Sequence, residues 1–491
     1  MKQIAIEPIT RLEGHGKIDI LLDDNGNVEN AYFQVPELRG FEKFCEGRPA
    51  EELPQIVTKI CGVCPGCHHM ASGKALDAVW GVTPPPTAVK LRELFYMAHF
   101  VHSHIAHFYA LAAPDFIMGP TSDPMERNII GVIGKVGKEI VGEVIRQRKY
   151  AQEIQALIGG HQTHVVMNVP GGVRKGITPE EREDIEKKAA GFVDFARFTL
   201  QLFENVVLGN RGYVDLIKNG PYQLNLHSMG LVDEKNHVNF YDGKVRVVDT
   251  VGTEICRYDP SQYLDFIAEH VEPWTYLKFP FLKQIGWRGL TDGQQSGLYH
   301  ATPLSRLNVA DGMATPLADL EYKKMYETFG TKPLHYTMAM HWARLIELLY
   351  AAEHCLELSR DPEITGKELR APLVRIVGEG VGTVEAQRGT LTHHYITDEK
   401  GITKKVNLIV GTTNNNGAIC LSIKMAAMNL IRKDKEPDEG TLNMIEMAFR
   451  AYDPCFSCAT HHLPGKMPLD LRILDKSGKI IRIISRITAN H

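Results

Sequence analysis

Two stretches, KICGVCPGCH at residues 59–68 and DPCFSCATH at residues 453–461, decide which fold this chain adopts. Each contains a C-x-x-C pair, a spacing that lets two sulfur atoms reach one metal ion. Soft thiolates select nickel, zinc, copper or iron over magnesium or calcium. Pro65 follows the first pair and begins a predicted helix, and the dipole at a helix N-terminus favours thiolate over thiol. If the pairs meet, four sulfurs hold one metal site and join the two ends of the chain.

The spacing of the cysteines does not by itself identify the metal. A structural zinc site with four cysteines is the alternative interpretation. The two pairs lie about 390 residues apart, so the site would close a large domain, whereas zinc ribbons are small. Outside the two stretches the cysteines are isolated, and we expect them to be small buried hydrophobic residues.

The overall composition excludes several classes of protein. The chain has 491 residues, 44% of them hydrophobic and 23% charged, with a net charge of −4, which leaves no electrostatic footprint for nucleic acid or an anionic membrane. Nine cysteines in a chain of this size do not indicate a disulfide framework. The first residues lack the features of a secretory signal, and the most apolar stretch, residues 129–145, is interrupted by Lys135 and Lys138. We therefore expect a cytoplasmic protein without a membrane span.

Hydrophobic periodicity predicts a bundle of helices. Apolar residues recur at steps of three and four along several stretches, which most simply bury their apolar faces against one another. The four longest cover residues 84–112, 123–158, 178–207 and 338–356. Thr178 and Glu181 predict a capping box at the start of the third helix. A final helix is predicted to be capped by Thr441 and to end before Pro454.

Shorter alternating stretches predict β-structure around this bundle. Turn residues Asp24-Asn25-Gly26 predict an N-terminal hairpin, and Asp242-Gly243 predict another. Without repeats or long linkers, we expect one α+β domain over residues 1–461: a central bundle of long helices with peripheral β-hairpins and small sheets. Its predicted parts are an N-terminal β region at 1–45, long helices at 85–215, a β-rich insertion at 220–290, further helices at 332–358 and 441–452, and a tail at 462–491.

Four sequence blocks resemble those of the large subunits of nickel–iron hydrogenases, in the same order and along nearly the whole chain. They are RLEGH at 11–15, the two cysteine stretches, and EAQRGTLTH at 385–393. The resemblance implies the hydrogenase large-subunit fold and a catalytic subunit that cleaves or forms H2 heterolytically. Four positions depart from the family pattern: Lys59 for arginine, Cys67 for a small polar residue, Thr302 for glycine and Gln387 for proline.

The resemblance assigns the metal ligands. Cys61 and Cys455 would bind nickel terminally, and Cys64 and Cys458 would bridge nickel to an iron that carries carbonyl and cyanide ligands. Splitting H2 needs a Lewis-acidic metal and a base, and a terminal thiolate can serve as the base. Glu13 matches the family's proton-relay glutamate beside such a thiolate. Its alternative role is that of a surface or hairpin-capping carboxylate.

The resemblance also assigns residues around the metal pair. Arg388 matches an arginine that contacts a cyanide ligand, since a fixed guanidinium suits a small anionic ligand in a dry pocket. Asp115 and Asp453 match two aspartates that flank this arginine. All three could instead be ordinary salt-bridge or helix-end residues. The remaining assignments are Leu391 and Thr412 beside the second cyanide, and His68 hydrogen-bonded to a bridging sulfur.

Two further features belong to the same resemblance. Glu42, the carbonyl of Leu408, and His461 match the family's magnesium site, and oxygen ligands suit this hard cation. The tail, residues 462–491, could form a hairpin around residues 475–478. In the family such a tail is removed after the histidine once metal is loaded, which implies a cut between His461 and His462.

Electrons must leave through another protein, because the four ligand cysteines leave no further cluster-binding pattern in this chain. The family uses a small subunit that carries iron–sulfur clusters. Residues 274–280 and 305–308 most resemble the cytosolic branch, whose acceptors include NAD(P), deazaflavin, ferredoxin and heterodisulfide reductase. The implied partners are thus a small subunit with iron–sulfur clusters and further electron-transfer subunits. Two alternatives stay open: a non-catalytic subunit of the same fold and a structural four-cysteine zinc protein.

Overall fold

A computed structural model describes residues 2–7, 9–432 and 435–460, together with the strands at 469–474 and 480–486. The chain combines long helices with several small sheets, so the predicted α+β class is confirmed. Among the helices it describes, none is long and apolar enough to cross a membrane.

Helices make up most of the described chain. They are α1 (Phe41–Cys45), α2 (Leu53–Ile56), α3 (Pro65–Val79), α4 (Pro86–Ala106), α5 (Ala113–Ile117), α6 (Ile129–Val136), α7 (Lys138–Gly159), α8 (Pro179–Phe203), α9 (Arg211–Asn219), α10 (Tyr263–Phe266), α11 (Pro303–Val309), α12 (Pro316–Phe329), α13 (Met340–Arg360), α14 (Gly411–Asn414), α15 (Asn416–Leu430), α16 (Glu439–Arg450) and α17 (Phe456–Ala459). Helices α4 and α8 continue into π-helical turns at His107–Ala112 and Glu204–Leu208.

The strands form small, mostly antiparallel sheets. They are β1 (Lys2–Ile6), β2 (Lys17–Leu22), β3 (Val28–Gln34), β4 (Asn168–Val169), β5 (Gly172–Val173), β6 (His227–Val232), β7 (His237–Val238), β8 (Lys244–Val248), β9 (Glu254–Tyr258), β10 (Ile267–Val271), β11 (Lys278–Leu282), β12 (Tyr299–His300), β13 (Gly312–Met313), β14 (Glu379–Ala386), β15 (Gly389–Thr397), β16 (Thr403–Ile409), β17 (Leu469–Leu474) and β18 (Ile480–Arg486). The sheet that matters for the site has the order β14-β15-β16. Strands β17 and β18 pair antiparallel, as the hairpin interpretation of the tail predicts, and their turn lies outside the described residues.

The long helices pack as predicted, with one exception in their bounds. Helix α13 packs against α8 and α4, and α7 packs against α4 and α8. The prediction of one helix over residues 123–158 was wrong, because α6 ends at Val136 and α7 begins at Lys138. Gly137 between them has a φ of 90°, a conformation that interrupts a helix and that glycine adopts at little cost.

Helix starts follow the capping rules, again with one correction. The capping box at α8 is present: Glu181 N donates to Thr178 Oγ1 at 3.2 Å, and Thr178 N donates to Glu181 Oε2 at 2.8 Å. The prediction that Thr441 caps α16 was wrong. Asp438 is the cap, and its Oδ1 accepts from Thr441 N at 2.8 Å. Aspartate is among the strongest N-cap residues, so it starts the helix earlier.

Contacts between opposite ends of the chain bring the two cysteine stretches together. Helix α3 lies so close to β14 that a Cβ on Gly382 would stand 2.1 Å from the carbonyl oxygen of Ala71. At the other end, Glu13 and Cys455 form a parallel bridge, in which Phe456 N donates to Glu13 O at 3.0 Å. The start of α3 and the start of α17 therefore meet at one place.

Candidate metal centre

Two helix starts hold the four predicted cysteines. Cys64 is the N-cap of α3, and Cys455 is the N-cap of α17. The Sγ atoms of Cys61 and Cys455 are 3.2 Å apart, as are those of Cys64 and Cys458, and 3.0 Å separates Cys455 from Cys458. All four sulfurs are buried and lie within 4.8 Å of one another. The structure thus joins the two pairs into one tetrathiolate set.

The electrostatics of this set favour a bound cation. Burial raises the pKa of the Cys455 and Cys458 thiols well above their ordinary value. Cys61 differs, because hydrogen bonds from the neighbouring thiols, chiefly Cys455, lower its pKa. Four buried sulfurs at these distances cannot all ionise without a positive charge among them. A soft metal cation would supply that charge and convert the thiols to thiolates.

Glu13 lies directly beside one of these sulfurs. Its Oε2 accepts from Cys455 Sγ at 2.9 Å and from Ser457 N at 3.1 Å. The glycine that follows it is required for this approach, because Gly14 has a φ of 90° and a Cβ there would stand 2.9 Å from the Cβ of Phe456. The RLEGH block therefore places a carboxylate on a cysteine that the second stretch provides.

Arg388 lies in the two-residue connection between β14 and β15, where Ala386 pairs with Gly389. Its Nη2 forms an ion pair with Asp453 Oδ2 at 2.9 Å. Burial alone would lower the pKa of Arg388, but the charge of Asp453 outweighs burial and raises it well above its ordinary value. Its Nε and Nη1 are buried and donate to no group in the part of the chain that the structure describes. Two buried donors are thus available to a ligand.

The second predicted aspartate is not part of this pair. Asp115 Oδ1 accepts from Arg11 Nη2 at 2.5 Å, and Asp115 Oδ2 lies 3.2 Å from Arg450 Nη1. Burial alone would raise the pKa of Asp115, but the charges of Arg450 and Arg11 outweigh it and hold that pKa low. The prediction that Asp115 flanks Arg388 is therefore corrected: Asp115 stabilises the junction of α5, α16 and the RLEGH segment.

A small cavity beside the cysteines is lined by three further predicted residues, Leu391, Thr412 and His68, and by Arg388. Thr412 Oγ1 accepts from Cys455 N at 3.0 Å. His68 Nε2 lies 3.4 Å from Cys458 Sγ, and its Nδ1 lies 3.1 Å from His393 Nε2. The structure places all three against the cysteine set.

The predicted magnesium ligands are described only in part. Glu42, in α1, accepts a hydrogen bond from Leu408 N at 2.8 Å through its Oε1, so these two residues are neighbours. His461 lies outside the described residues. Position and oxygen chemistry at Glu42 and Leu408 are suited to a hard cation.

Three side chains near Glu13 were not predicted from the sequence. Ser457 Oγ lies 3.5 Å from Glu37 Oε2, and Glu37 Oε1 lies 2.5 Å from His15 Nδ1. The side chain of His15 is 84% exposed. No periodicity or spacing links these residues, and the available signal was that His15 and Ser457 belong to the motif blocks. The structure shows that they lead from Glu13 to the protein surface.

Four buried thiols from both ends of an α+β chain, with a carboxylate against one sulfur and a buried guanidinium above, define a metalloenzyme subunit with a thiolate-held transition-metal centre. The comparisons with known proteins identify which kind. The profile of the nickel-dependent hydrogenase family matches residues 39–122 and 298–461, and a HoxL-like profile matches residues 3–38. This chain belongs to the nickel-dependent hydrogenase family, as the motif blocks predicted.

Individual relatives support the same assignment. The chain is 48% identical over 484 residues to an iron-sulfur subunit of the F420-non-reducing hydrogenase from Archaeoglobus profundus, and the match covers 99% of each chain. It is 37% identical to the NAD-reducing hydrogenase HoxS subunit beta of Cupriavidus necator, over 98% of this chain and 99% of that one. A solved NAD+-reducing [NiFe]-hydrogenase in the H2-reduced state superimposes with a TM-score of 0.88 at 37% identity, over 94% of this chain and 100% of that one.

The predicted fold, family and enzyme class are therefore confirmed. The chain is the large, catalytic subunit of a nickel–iron hydrogenase, an oxidoreductase that acts on H2. The two alternatives, a structural zinc protein and a non-catalytic subunit, lose their support, because the family match includes both cysteine stretches with all four thiols in place.

Proposed function

We propose that Cys61 and Cys455 hold nickel terminally, and that Cys64 and Cys458 bridge nickel to iron. The sulfur positions support this assignment, because each close pair joins one cysteine from each stretch: Cys61 with Cys455, and Cys64 with Cys458. When bound, the metal pair supplies the Lewis acidity that makes H2 acidic enough to split heterolytically. The observation that carries the proposal is the tetrathiolate set itself.

The residues of this chain then handle the proton. The Cys455 sulfur accepts one proton and passes it to Glu13 Oε2, which lies 2.9 Å away. Ser457, Glu37 and His15 continue from Glu13 toward solvent, and the last of them is exposed. In H2 formation the same groups would carry protons inward. Glu13 is therefore the first relay group, and the buried surroundings of the cysteines exclude bulk water from the sulfurs.

The iron ligands are proposed to be carbonyl and cyanide, with Arg388 against a cyanide. Its two buried donors fit a small anionic acceptor, since buried polar groups in proteins normally have hydrogen-bond partners. Leu391 and Thr412 line the same cavity and would surround the second cyanide. Asp453 fixes the guanidinium from the opposite side through its ion pair.

A magnesium ion is proposed beside Glu42 and the carbonyl of Leu408, with His461 as the third protein ligand. The adjacency of Glu42 and Leu408 supports two of these ligands, and waters would complete the octahedral shell that Mg²⁺ prefers. The ion would stabilise the end of the chain next to the cysteine set.

The proposed partners are a small subunit with iron–sulfur clusters and further electron-transfer subunits. This assignment rests on the relatives, one of which is named as an iron-sulfur subunit and another as part of an NAD-reducing enzyme. The same proposal gives the enzyme soluble electron carriers in the cytoplasm. The acceptor itself is set by the other subunits.

Metal analysis combined with infrared spectroscopy tests the proposal. Purified enzyme should contain nickel and iron in equal amounts and show the stretching bands of carbonyl and cyanide, which amino acids do not produce. Changing Cys458 to serine should remove these bands, because a hydroxyl is a poor ligand for soft metals. As a control, Cys256→Ser alters a cysteine outside the set and should leave them in place. Zinc in the wild-type enzyme, without infrared bands, would contradict the proposal.

A further inference from the structure

One buried arginine remains without a role in the mechanism above. Arg306, in α11, belongs to the 305–308 segment that resembles the cytosolic branch of the family, and its side chain is fully buried. Its guanidinium binds Glu347 through two hydrogen bonds, from Nε to Oε1 at 2.6 Å and from Nη2 to Oε2 at 2.8 Å. Such a bidentate pair fixes the plane of the guanidinium.

The other edge of the Arg306 guanidinium contacts three consecutive residues that lead to Arg388. Nη1 donates to Glu385 Oε2 and to the carbonyl of Ala386, each at 3.0 Å, and Nη2 donates to the carbonyl of Gln387 at 3.3 Å. These residues end β14 and begin the two-residue connection in which Arg388 lies. Arg306 therefore binds the backbone immediately before Arg388.

We propose that Arg306 is a positioning residue, which sets the place of the Arg388 guanidinium above the metal pair. The inference rests on the proposed contact between Arg388 and the ligands of iron. The Arg388 side chain has a single ion-pair anchor, Asp453, and two donors without a protein partner in the described chain. Where these donors point thus depends on the backbone of the turn, and that backbone is held by Arg306.

Two other contacts complete the attachment of the turn. Asn415 Nδ2 donates to the carbonyl of Arg388 at 2.8 Å. Across the hairpin, Thr390 Oγ1 donates to Glu385 Oε1 at 3.0 Å, so Glu385 joins both strands to Arg306. Because Gly389 has a φ of 144° and packs against backbone on two sides, the turn has no room to adjust by itself. Small displacements at Arg306 should therefore pass directly to Arg388.

The decisive variant is Arg306→Lys. Lysine keeps one positive charge beside Glu347, but a single ammonium cannot span two carboxylates and two carbonyls as a planar fork does. We expect nickel and iron to remain at wild-type levels, the cyanide bands to shift in the infrared spectrum, and kcat to fall about tenfold or more with a much smaller change in the KM for H2. Glu347→Gln, which loosens Arg306 without altering it, should shift the same bands in the same direction.

The control is another buried arginine with the same kind of contacts. Arg92 pairs with Asp77 and donates from Nη2 to the carbonyl of Gly172 at 2.8 Å, away from the β14–β15 turn. Arg92→Lys should lower thermal stability to an extent similar to Arg306→Lys and leave the cyanide bands unchanged. If both lysine variants leave the bands unchanged, or if both shift them, Arg306 has only a structural role and the inference fails.

Arg388→Lys separates this inference from the function on which it rests. If Arg388→Lys shifts the bands and Arg306→Lys does not, the contact between Arg388 and iron's ligands stands while the positioning role is refuted. If Arg388→Lys leaves the bands unchanged, the proposed contact itself is wrong. Should Arg306→Lys fail to fold, the milder pair Glu347→Gln and Thr390→Val supplies the same comparison with Arg92→Lys.

Discussion

Glu13 is the single residue on which proton transfer depends, because it is the carboxylate that contacts a metal-binding sulfur. Replacing it with glutamine keeps the size and the hydrogen bond from Ser457 N but removes an exchangeable carboxylate proton. We expect Glu13→Gln to lower H2 oxidation and H2 formation by at least about 100-fold. Nickel and iron content, and the infrared bands, should stay at wild-type values, since no metal ligand changes.

Glu7→Gln is a suitable control for this experiment. Glu7 belongs to the same N-terminal segment, its side chain is 64% exposed, and its nearest cation, Lys17, is 3.9 Å away. Its replacement should leave turnover unaltered. Wild-type activity in the Glu13 variant would remove this residue from the mechanism.

The residues of the site differ in how far the sequence could reveal them. The C-x-x-C spacing marks Cys61, Cys64, Cys455 and Cys458 without any structure. Arg388, Thr412 and Glu13 required a resemblance to a family, because single polar residues carry no spacing signal. Asp115 was misplaced for a physical reason: its cationic partners, Arg11 and Arg450, come from the two ends of the chain. Only the folded backbone shows which arginine an aspartate reaches.

At the scale of elements, an ion-pair network links helices α4 and α13 of the central bundle. His354 Nε2 lies 3.4 Å from Glu93 Oε2, and its Nδ1 lies 3.2 Å from Glu357 Oε2. Burial alone would lower the pKa of His354, but the two carboxylates outweigh burial and raise it to about 9. The raised pKa means that the folded protein holds a proton which the unfolded chain releases near pH 6.5.

The consequence is a pH-dependent contribution to stability. It is fully present below about pH 6.5 and disappears as the pH rises through about 9. Since the side chain is partly exposed, we expect about 1–2 kcal/mol. Melting temperatures should therefore differ between wild type and His354→Gln at pH 6 and converge above pH 9. A constant difference across this range would exclude the mechanism, and His237→Gln in β7 supplies a control histidine.

Elements themselves were predicted where local chemistry decides them. The capping box at Thr178 and the stripes of α4, α8 and α13 follow from sequence alone. The break between α6 and α7 did not, because Gly137 is compatible with a helix until tertiary packing selects its φ of 90°. The order β14-β15-β16 beside α3 was likewise hidden, since pairing between distant segments leaves no local periodicity.

For the molecule as a whole, the main feature is that its two ends meet. The Glu13–Cys455 bridge, the Thr10–Glu446 hydrogen bond at 2.9 Å and the Arg39–Thr460 hydrogen bond at 3.0 Å all connect the first 40 residues with the last described helices. Closing so long a loop costs entropy, which the bound metals would offset by joining the same segments. The end of the chain and the loading of metal are thus physically coupled.

This coupling leads to the prediction about the tail. Residues 462–491 follow shortly after the helix that carries Cys458, and their strands β17 and β18 pair only with each other among the described strands. A hairpin that contributes to no other sheet can be removed without unpairing the core. We expect active, metal-loaded enzyme to end at His461, and intact-mass measurement should show the loss of these 30 residues. Cys455→Ser, which lacks a terminal nickel ligand, should keep them, because removal would follow metal loading. An active enzyme with the full-length mass would show instead that the hairpin is a permanent part of the enzyme.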